Sequence, residues 1–202
     1  NVSAGTNAGD MDNTNAVNIG YKTYTSSSYD YFTGYMNEAR IYKGAAKYTS
    51  NFIPASTQPD IIKDSPSGTV YDSALEKSVS GAVSLYTGSY LSLASSSDFT
   101  FGTNDFTYEC WIYPISCSQD VGIPDPRPSS TNNISCMFGF NSSLQLFIYV
   151  NGSLTISPSS TTGMAARTWQ HVTYSRSGST GKMFINGKQV ASVSDSNNYI
   201  QS

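Results

Sequence analysis

Periodicity is the feature that most constrains this chain. Apolar residues almost nowhere recur at the three-to-four spacing that gives a helix one buried face. What recurs are short alternating or aromatic-rich runs closed by Gly, Ser, Asn and Asp, and these read as strands. The clearest cover residues 16–21, 32–42, 89–93, 106–113, 135–140, 144–150, 153–156, 169–176, 182–185 and 189–193. Asn151-Gly152 and Asn186-Gly187 sit between consecutive runs as two-residue hairpin signals. Many short strands at close spacing without intervening helices predict an all-β, two-sheet antiparallel sandwich or barrel.

Composition narrows the function. Charged residues make up only 12% of the 202 residues, so the surface must be built from Ser, Thr, Asn, Gly and Tyr, as in many extracellular β proteins. A net charge of -3 with 11 Lys and Arg offers no basic stripe for a phosphate backbone, which argues against nucleic acid as a partner. No apolar stretch approaches the ~18–20 residues of a membrane span. Asn1 opens a polar segment with no initiating Met or signal pattern, which suggests a processed product or a piece of a longer chain.

Three cysteines are present, Cys110, Cys117 and Cys136, at no metal or redox spacing. Cys117 and Cys136 bracket a stretch with Pro124, Pro126 and Pro128. A disulfide closing it would contribute about 3 kcal/mol, and three free thiols are the alternative. In the run 106–112, parity puts Phe106, Tyr108, Cys110 and Ile112 on one face and Thr107, Glu109 and Trp111 on the other. Glu109 among such large neighbours requires a partner, for which Arg40 and Arg176 are the candidates.

Three segments carry a family resemblance. Around residues 81–113, YLSL is followed by a DFTFGTNDFT corner and an aromatic strand closing on Trp111-x-x-Pro114. Residues 169–188 hold a Trp169-x-His171-Val172 strand before a Phe184-x-Asn186-Gly187 turn. Residues 32–54, FTGYMNEARIYKGAAKYTSNFIP, look like a closing strand and tail. Together they resemble the laminin-G-like, concanavalin-like jelly rolls. The resemblance implies a two-sheet antiparallel jelly-roll sandwich, an extracellular setting, and a structural role for His171.

The order of the segments is unusual for that family, because the closing strand precedes the opening one. Residues 59–202 followed by 1–58 compose one domain, with 1–58 supplying its C-terminal part and 59–202 its N-terminal and central part. Three arrangements give this phase: identical tandem repeats, a permuted monomer, or subunits that exchange strands through their first ~58 residues.

Chemistry is thinly represented. One histidine gives a nucleophilic triad at most one base. Glycoside hydrolysis needs two carboxylates, yet Glu109 has no acid at i+2 or i+4, Glu38 stands alone, and Glu76 lies in a linker-like stretch. No cofactor is expected. Calcium is conceivable for the resembled family, with Asp98, Asp105, Asp120, Asp125, Asp195 and the Asp10–Asp12 pair as possible oxygen ligands. Many relatives carry an acidic pair where this chain has Asn37-Glu38, which weakens that expectation. Tyr21, Tyr24, Tyr29 and Tyr31 cluster in a Ser/Thr-rich stretch as a candidate surface for a glycan or a protein. Asn1, Asn133, Asn141 and Asn151 open N-glycosylation sequons. The expected function is a non-catalytic repeat or subunit of a fibre, adhesin or virion appendage that self-associates. A glycan-binding lectin-like module is the second expectation.

Overall fold

The structure is a computed structural model that describes residues 3–6, 17–22, 30–54, 82–86, 88–94, 96–117, 119–126, 136–150, 153–156 and 163–199. The N-terminal part supplies β1 (Ser3–Thr6), β2 (Val17–Ile19), β3 (Tyr21–Lys22), β4 (Asp30–Tyr31) and β5 (Thr33–Lys43). Next come β6 (Val83–Leu85), β7 (Ser89–Leu93), β8 (Phe106–Ser116), β9 (Val121–Gly122), β10 (Pro124–Asp125) and β11 (Met137–Phe140). β12 (Leu146–Val150), β13 (Ser153–Ile156), β14 (Gln170–Ser177), β15 (Thr180–Ile185) and β16 (Lys188–Ser194) complete the order.

A six-stranded antiparallel sheet, ordered β16-β15-β14-β8-β5-β6, forms one layer. The opposing layer is composite, joining β1-β7-β2-β10 to β13-β12-β11-β9. Ile123 N–H donates to Phe138 O at 2.8 Å and stitches the two parts together. Between the layers lies one apolar core, with Phe106, Tyr108, Cys110, Ile112, Val172, Tyr174 and Met183 from one side and Phe138, Phe140, Leu146, Ile148 and Val150 from the other. The all-β antiparallel sandwich anticipated from periodicity is the fold observed.

The N-terminal strands are structural members of both layers. β5 pairs with β8 along its length and with β6 at its start. β1 and β2 flank β7. The closing strand therefore completes the sandwich of its own chain. Phe32, just before β5, is fully buried and meets Phe140 edge to face at 5.8 Å between ring centroids.

The turn chemistry follows the sequence where it is specific. Asn186 (φ 51°) and Gly187 (φ 77°) both take positive φ between β15 and β16, the type I′ geometry that an Asn-Gly pair favours. The stretch between Cys117 and Cys136 differs from expectation. It contributes β9 and β10, whose residues are buried, and no disulfide joins Cys117 to Cys136. Cys136 is enclosed in the core, whereas the Cys117 thiol donates to Gln119 O at the half-exposed end of β8. Strand pairing to β2 and β11 secures this stretch, and the expected covalent staple is not formed.

Truncating Phe32 to Ala removes a ring that bridges the N-terminal segment and β11. We expect a loss of about 3–5 kcal/mol, read by denaturant unfolding of the full chain.

Candidate functional site

The only carboxylate at the middle of β8 is Glu109, and β8 parity turns it away from the core. It is nevertheless 4% exposed, because residues 44–54 cross back over this outer face as a strap. The strap is tied at intervals. Lys47 N–H donates to Thr107 Oγ1 at 2.8 Å, and Thr107 Oγ1 donates to Ala45 O at 3.0 Å. Lys182 Nζ donates to Thr49 O, and Gln189 N–H donates to Asn51 Oδ1, both at 2.7 Å. Phe52 N–H donates to Gly187 O at 2.8 Å. A Cβ on Gly187 would lie 1.6 Å from Phe52 O, so the turn glycine also makes room for the strap.

Donors converge on Glu109 from the strap, β5 and β14. Tyr42 Oη (2.8 Å) and Lys47 Nζ (3.0 Å) donate to Oε1, and Tyr48 Oη donates to Oε2 at 2.7 Å. His171 Nε2 lies 3.4 Å from Oε2, and the Arg40 guanidinium 3.6 Å from Oε1. Burial alone would raise this carboxyl, but hydrogen bonds from His171, Tyr48 and Lys47 outweigh it and hold the carboxyl far below the usual carboxylate range. Lys47 is displaced in the complementary sense. Burial opposes its charge, and its contacts with Tyr42, Glu109 and Tyr48 raise the ammonium above the ordinary lysine range. Around the cluster Phe52 stacks on Tyr48 at 3.5 Å and meets Phe184 and His171 at 5.2 and 5.7 Å. His171 also packs edge to face on Trp111 at 5.3 Å. A carboxylate so saturated fixes the strap.

A second buried charge fixes the rim. Arg176, on the core face of β14, is fully buried with Asp195 at 3.7 Å. Its guanidinium donates to the carbonyls of Gly102 (2.8 Å), Asn104 (2.6 Å) and Asn197 (2.7 Å), tying the 102–104 and 195–199 loops together. It also lies over the rings of Phe106 and Tyr199, 4.9 and 4.7 Å from their centroids. Asp195 accepts from Tyr174 Oη (2.5 Å), Tyr199 Oη (2.7 Å) and Asn197 Nδ2 (2.9 Å). Of the two partners foreseen for Glu109, Arg40 is in place and Arg176 serves Asp195 instead. Lys47, Tyr42 and Tyr48 were not anticipated. The parity of Glu109 signals a covering layer, but which residues cover it depends on where the strap crosses.

The acids considered for calcium do not gather. Asp98 belongs to the cap of a short 3-10 turn with Ser96, Asp105 accepts from Gly178 N–H, and Asp120 pairs with Lys22 at 2.9 Å. Asp125 is buried on β10, and Asp195 is held by Arg176. Asp10, Asp12 and Glu76 lie outside the described residues. Among the described residues no group of three or more His, Cys, Asp or Glu is placed to hold a metal. Glu38 pairs with Arg40 at 3.5 Å.

The tyrosine cluster divides. Tyr21 is fully buried, its ring 5.4 Å from Tyr31 and 5.2 Å from Tyr90, so it packs inward and is no exposed platform. Tyr31 is half-buried, and Tyr24 and Tyr29 lie outside the described residues. Of the sequon asparagines only Asn141 is described. Its Oδ1 accepts from Ser143 and Gln145 N–H, shaping the β11–β12 turn. Asn1, Asn133 and Asn151 lie outside the described residues.

An aromatic row instead occupies one end of the six-stranded sheet. Tyr35 on β5 is 40% exposed and meets Tyr113 on β8 at 5.8 Å, and Tyr113 meets Trp169, one residue before β14, at 5.7 Å. An apolar cleft of about 160 Å3, lined by Ile19, Arg40, Ile41, Leu93, Glu109 and Phe138 among others, opens between the layers.

Comparison with known families agrees with this architecture. The family model described as the concanavalin A-like lectin/glucanases superfamily, of laminin-G type, matches residues 85–202. That is more than half of the chain, and the chain belongs to this family. Curated proteins and solved structures yield no match. β5, which fills the sheet between β8 and β6, precedes the matched range. Among the described residues no helix is long and apolar enough to cross a membrane.

Two substitutions test the buried charges. Glu109→Gln leaves Lys47 and Arg40 free to turn toward water, so the expected cost is about 1–3 kcal/mol, below that of a fully enclosed pair. Because the folded carboxyl is depressed, its contribution is present above the ordinary value and lost as pH falls through the folded one. The raised Lys47 acts below its ordinary value and is lost as pH rises through the folded one. The wild-type minus Glu109→Gln difference in unfolding free energy is therefore expected to shrink as pH falls below the ordinary carboxyl value, and again in strong base. Arg176→Met removes the cation from buried Asp195 and unties the two rim loops, and about 3–5 kcal/mol is expected to be lost.

Proposed function

We propose that the chain is a non-catalytic module of an extracellular fibre, adhesin or virion appendage that assembles through its β-sandwich. The observation that carries this reading is the commitment of two buried acids. Glu109 is saturated by donors under the strap, and Asp195 is neutralised by Arg176 at the rim. A hydrolase of this architecture needs an acid and a base or nucleophile about 5–10 Å apart across an open cleft. Neither of these carboxylates is available for that work. The low charge and the Ser-, Thr- and Tyr-rich composition suit an exposed extracellular surface. Sedimentation of the full chain over a wide concentration range tests the proposal. Self-association is expected, together with no turnover of a polysaccharide panel. Monomer at every concentration, or any hydrolysis, overturns it.

A second reading, glycan binding, is favoured by the Tyr35–Tyr113–Trp169 row. Exposed Tyr and Trp rings offer apolar faces to a sugar ring while their polar edges remain wet. On this reading Tyr35→Ala weakens binding on a glycan array about tenfold, the equivalent of roughly 1.4 kcal/mol, without changing stability. Unchanged binding, or none by the wild type, rejects it.

A further inference from the structure

Among the described residues, the N-terminal segment pairs mainly with the rest of the chain. Apart from the two-residue β3–β4 pair, each of its ladders runs to a strand beyond residue 82: β1 to β7, β2 to β7 and β10, and β5 to β6 and β8. The strap follows the same rule, reaching Thr107, Ser175, Lys182, Gly187 and Gln189. Donor elements thus lie within 3–54 and acceptor elements within 82–199, joined by residues 55–81. A connection of that length can reach at most ~90 Å at full extension, enough to reach a neighbouring molecule.

The acceptor is specific for this donor. Without it β8 is left with an unpaired edge, Thr107 and Trp111 lose their cover, and Glu109 keeps only His171 of the groups around it. Tyr42, Lys47, Tyr48 and Arg40 all arrive on the donor. Gly187 admits the strap only because it lacks a Cβ.

We propose that the segment 1–54 is an exchangeable strand donor, and that its partner is the 82–199 acceptor of a second copy of this chain. The inference deepens the assembly reading above and rests on it. Contacts made within a chain and between chains are the same, so concentration decides between them. The covalent connection gives the segment a fixed effective concentration at its own acceptor. A dilute chain therefore closes on itself, as in the structure, and exchange prevails where neighbours are packed more densely than that. Head-to-tail exchange that does not close a ring extends into a filament.

The test uses two full-length variants, Asn51→Cys and Gln189→Cys, whose altered residues meet where the strap reaches β16. They are mixed in equal amounts, unfolded, refolded together from micromolar to millimolar concentration, and oxidised. A disulfide between residues 51 and 189 of different chains is expected, identified by peptide mass. While it is the minor species, its ratio to monomer should rise about tenfold for each tenfold increase in concentration. Each variant alone controls for linkage through Cys117, and the double variant shows that the pair can form within one chain. If the double variant forms its disulfide and the mixture never does, exchange is overturned. Oligomers lacking the 51–189 bond would keep the assembly reading and remove exchange, whereas monomer throughout would remove both.

Discussion

The pairing of β5 with β8 is the interaction on which the rest of the sandwich depends. β8 lies near the centre of its sheet and is buried on both faces, with one side of its ladder supplied by β14 and the other by β5. The β5–β8 ladder changes register twice, between Thr33 and Gly34 and again between Asn37 and Arg40. At the second shift Asn37 pairs with Trp111, but Arg40 pairs with Glu109, so β5 carries one extra residue, and Glu38 there adopts φ 51°. Before this bulge the even-numbered Gly34 and Met36 face inward. After it the odd-numbered Ile41 faces inward, while Arg40 and Tyr42 turn to the outer face. A regular strand would have sent the Arg40 guanidinium into the core and Ile41 into the polar layer. The bulge thus lets one strand serve an apolar core at its start and supply groups to Glu109 at its end.

The two buried charges divide the remaining work. A sandwich can pack its core from apolar residues alone, but a strap and two rim loops have little apolar area with which to be positioned. Directional bonds take that role. Glu109 accepts from groups borne on β5, the strap and β14, and Arg176 donates to carbonyls of two loops. Each ion is satisfied on several sides, which offsets the cost of taking charge out of water. A chain with so few charged residues still buries several of them, Glu109, Arg176 and Asp195 included, where geometry matters more than solubility.

How legible all this was depended on the range of the interactions. The long strands were readable because alternation along β8, β14 and β15 is local, and the Asn186-Gly187 turn because both residues take their preferred φ. β9 and β10 were not, since two-residue strands have no period and Pro124 marks a loop by local criteria. β6 was missed for the same reason. The bulge could in principle have been inferred, because Met36 and Ile41 cannot share a face on a regular strand. The need of Glu109 for a cation was visible in its neighbours, but Lys47 and Tyr48 are selected by the path of the strap, a tertiary fact. The placement of Tyr21 failed because a Ser/Thr-rich surrounding suggests solvent, whereas the ring is enclosed by Tyr31 and Tyr90.

Putting the closing strand before the rest also changes how the fold must be reached. β5 emerges first during synthesis, yet its partner β8 begins more than sixty residues later and the strap's last contact lies at the β15–β16 turn. Among the described residues β3–β4 is the one strand pair within the segment, so the ordering of β1, β2, β5 and the strap waits on long-range closure, which is slow. The acceptor is likewise least stable while Glu109 and the edge of β8 lack their partners. Both halves therefore expose their complementary surfaces at the same stage, the stage at which a neighbouring copy competes on equal terms with the chain's own segment. A long linker favours the intramolecular outcome for a single chain. It does not do so for chains emerging side by side, where capture from a neighbour satisfies the same carboxylate, the same ladder and the same turn.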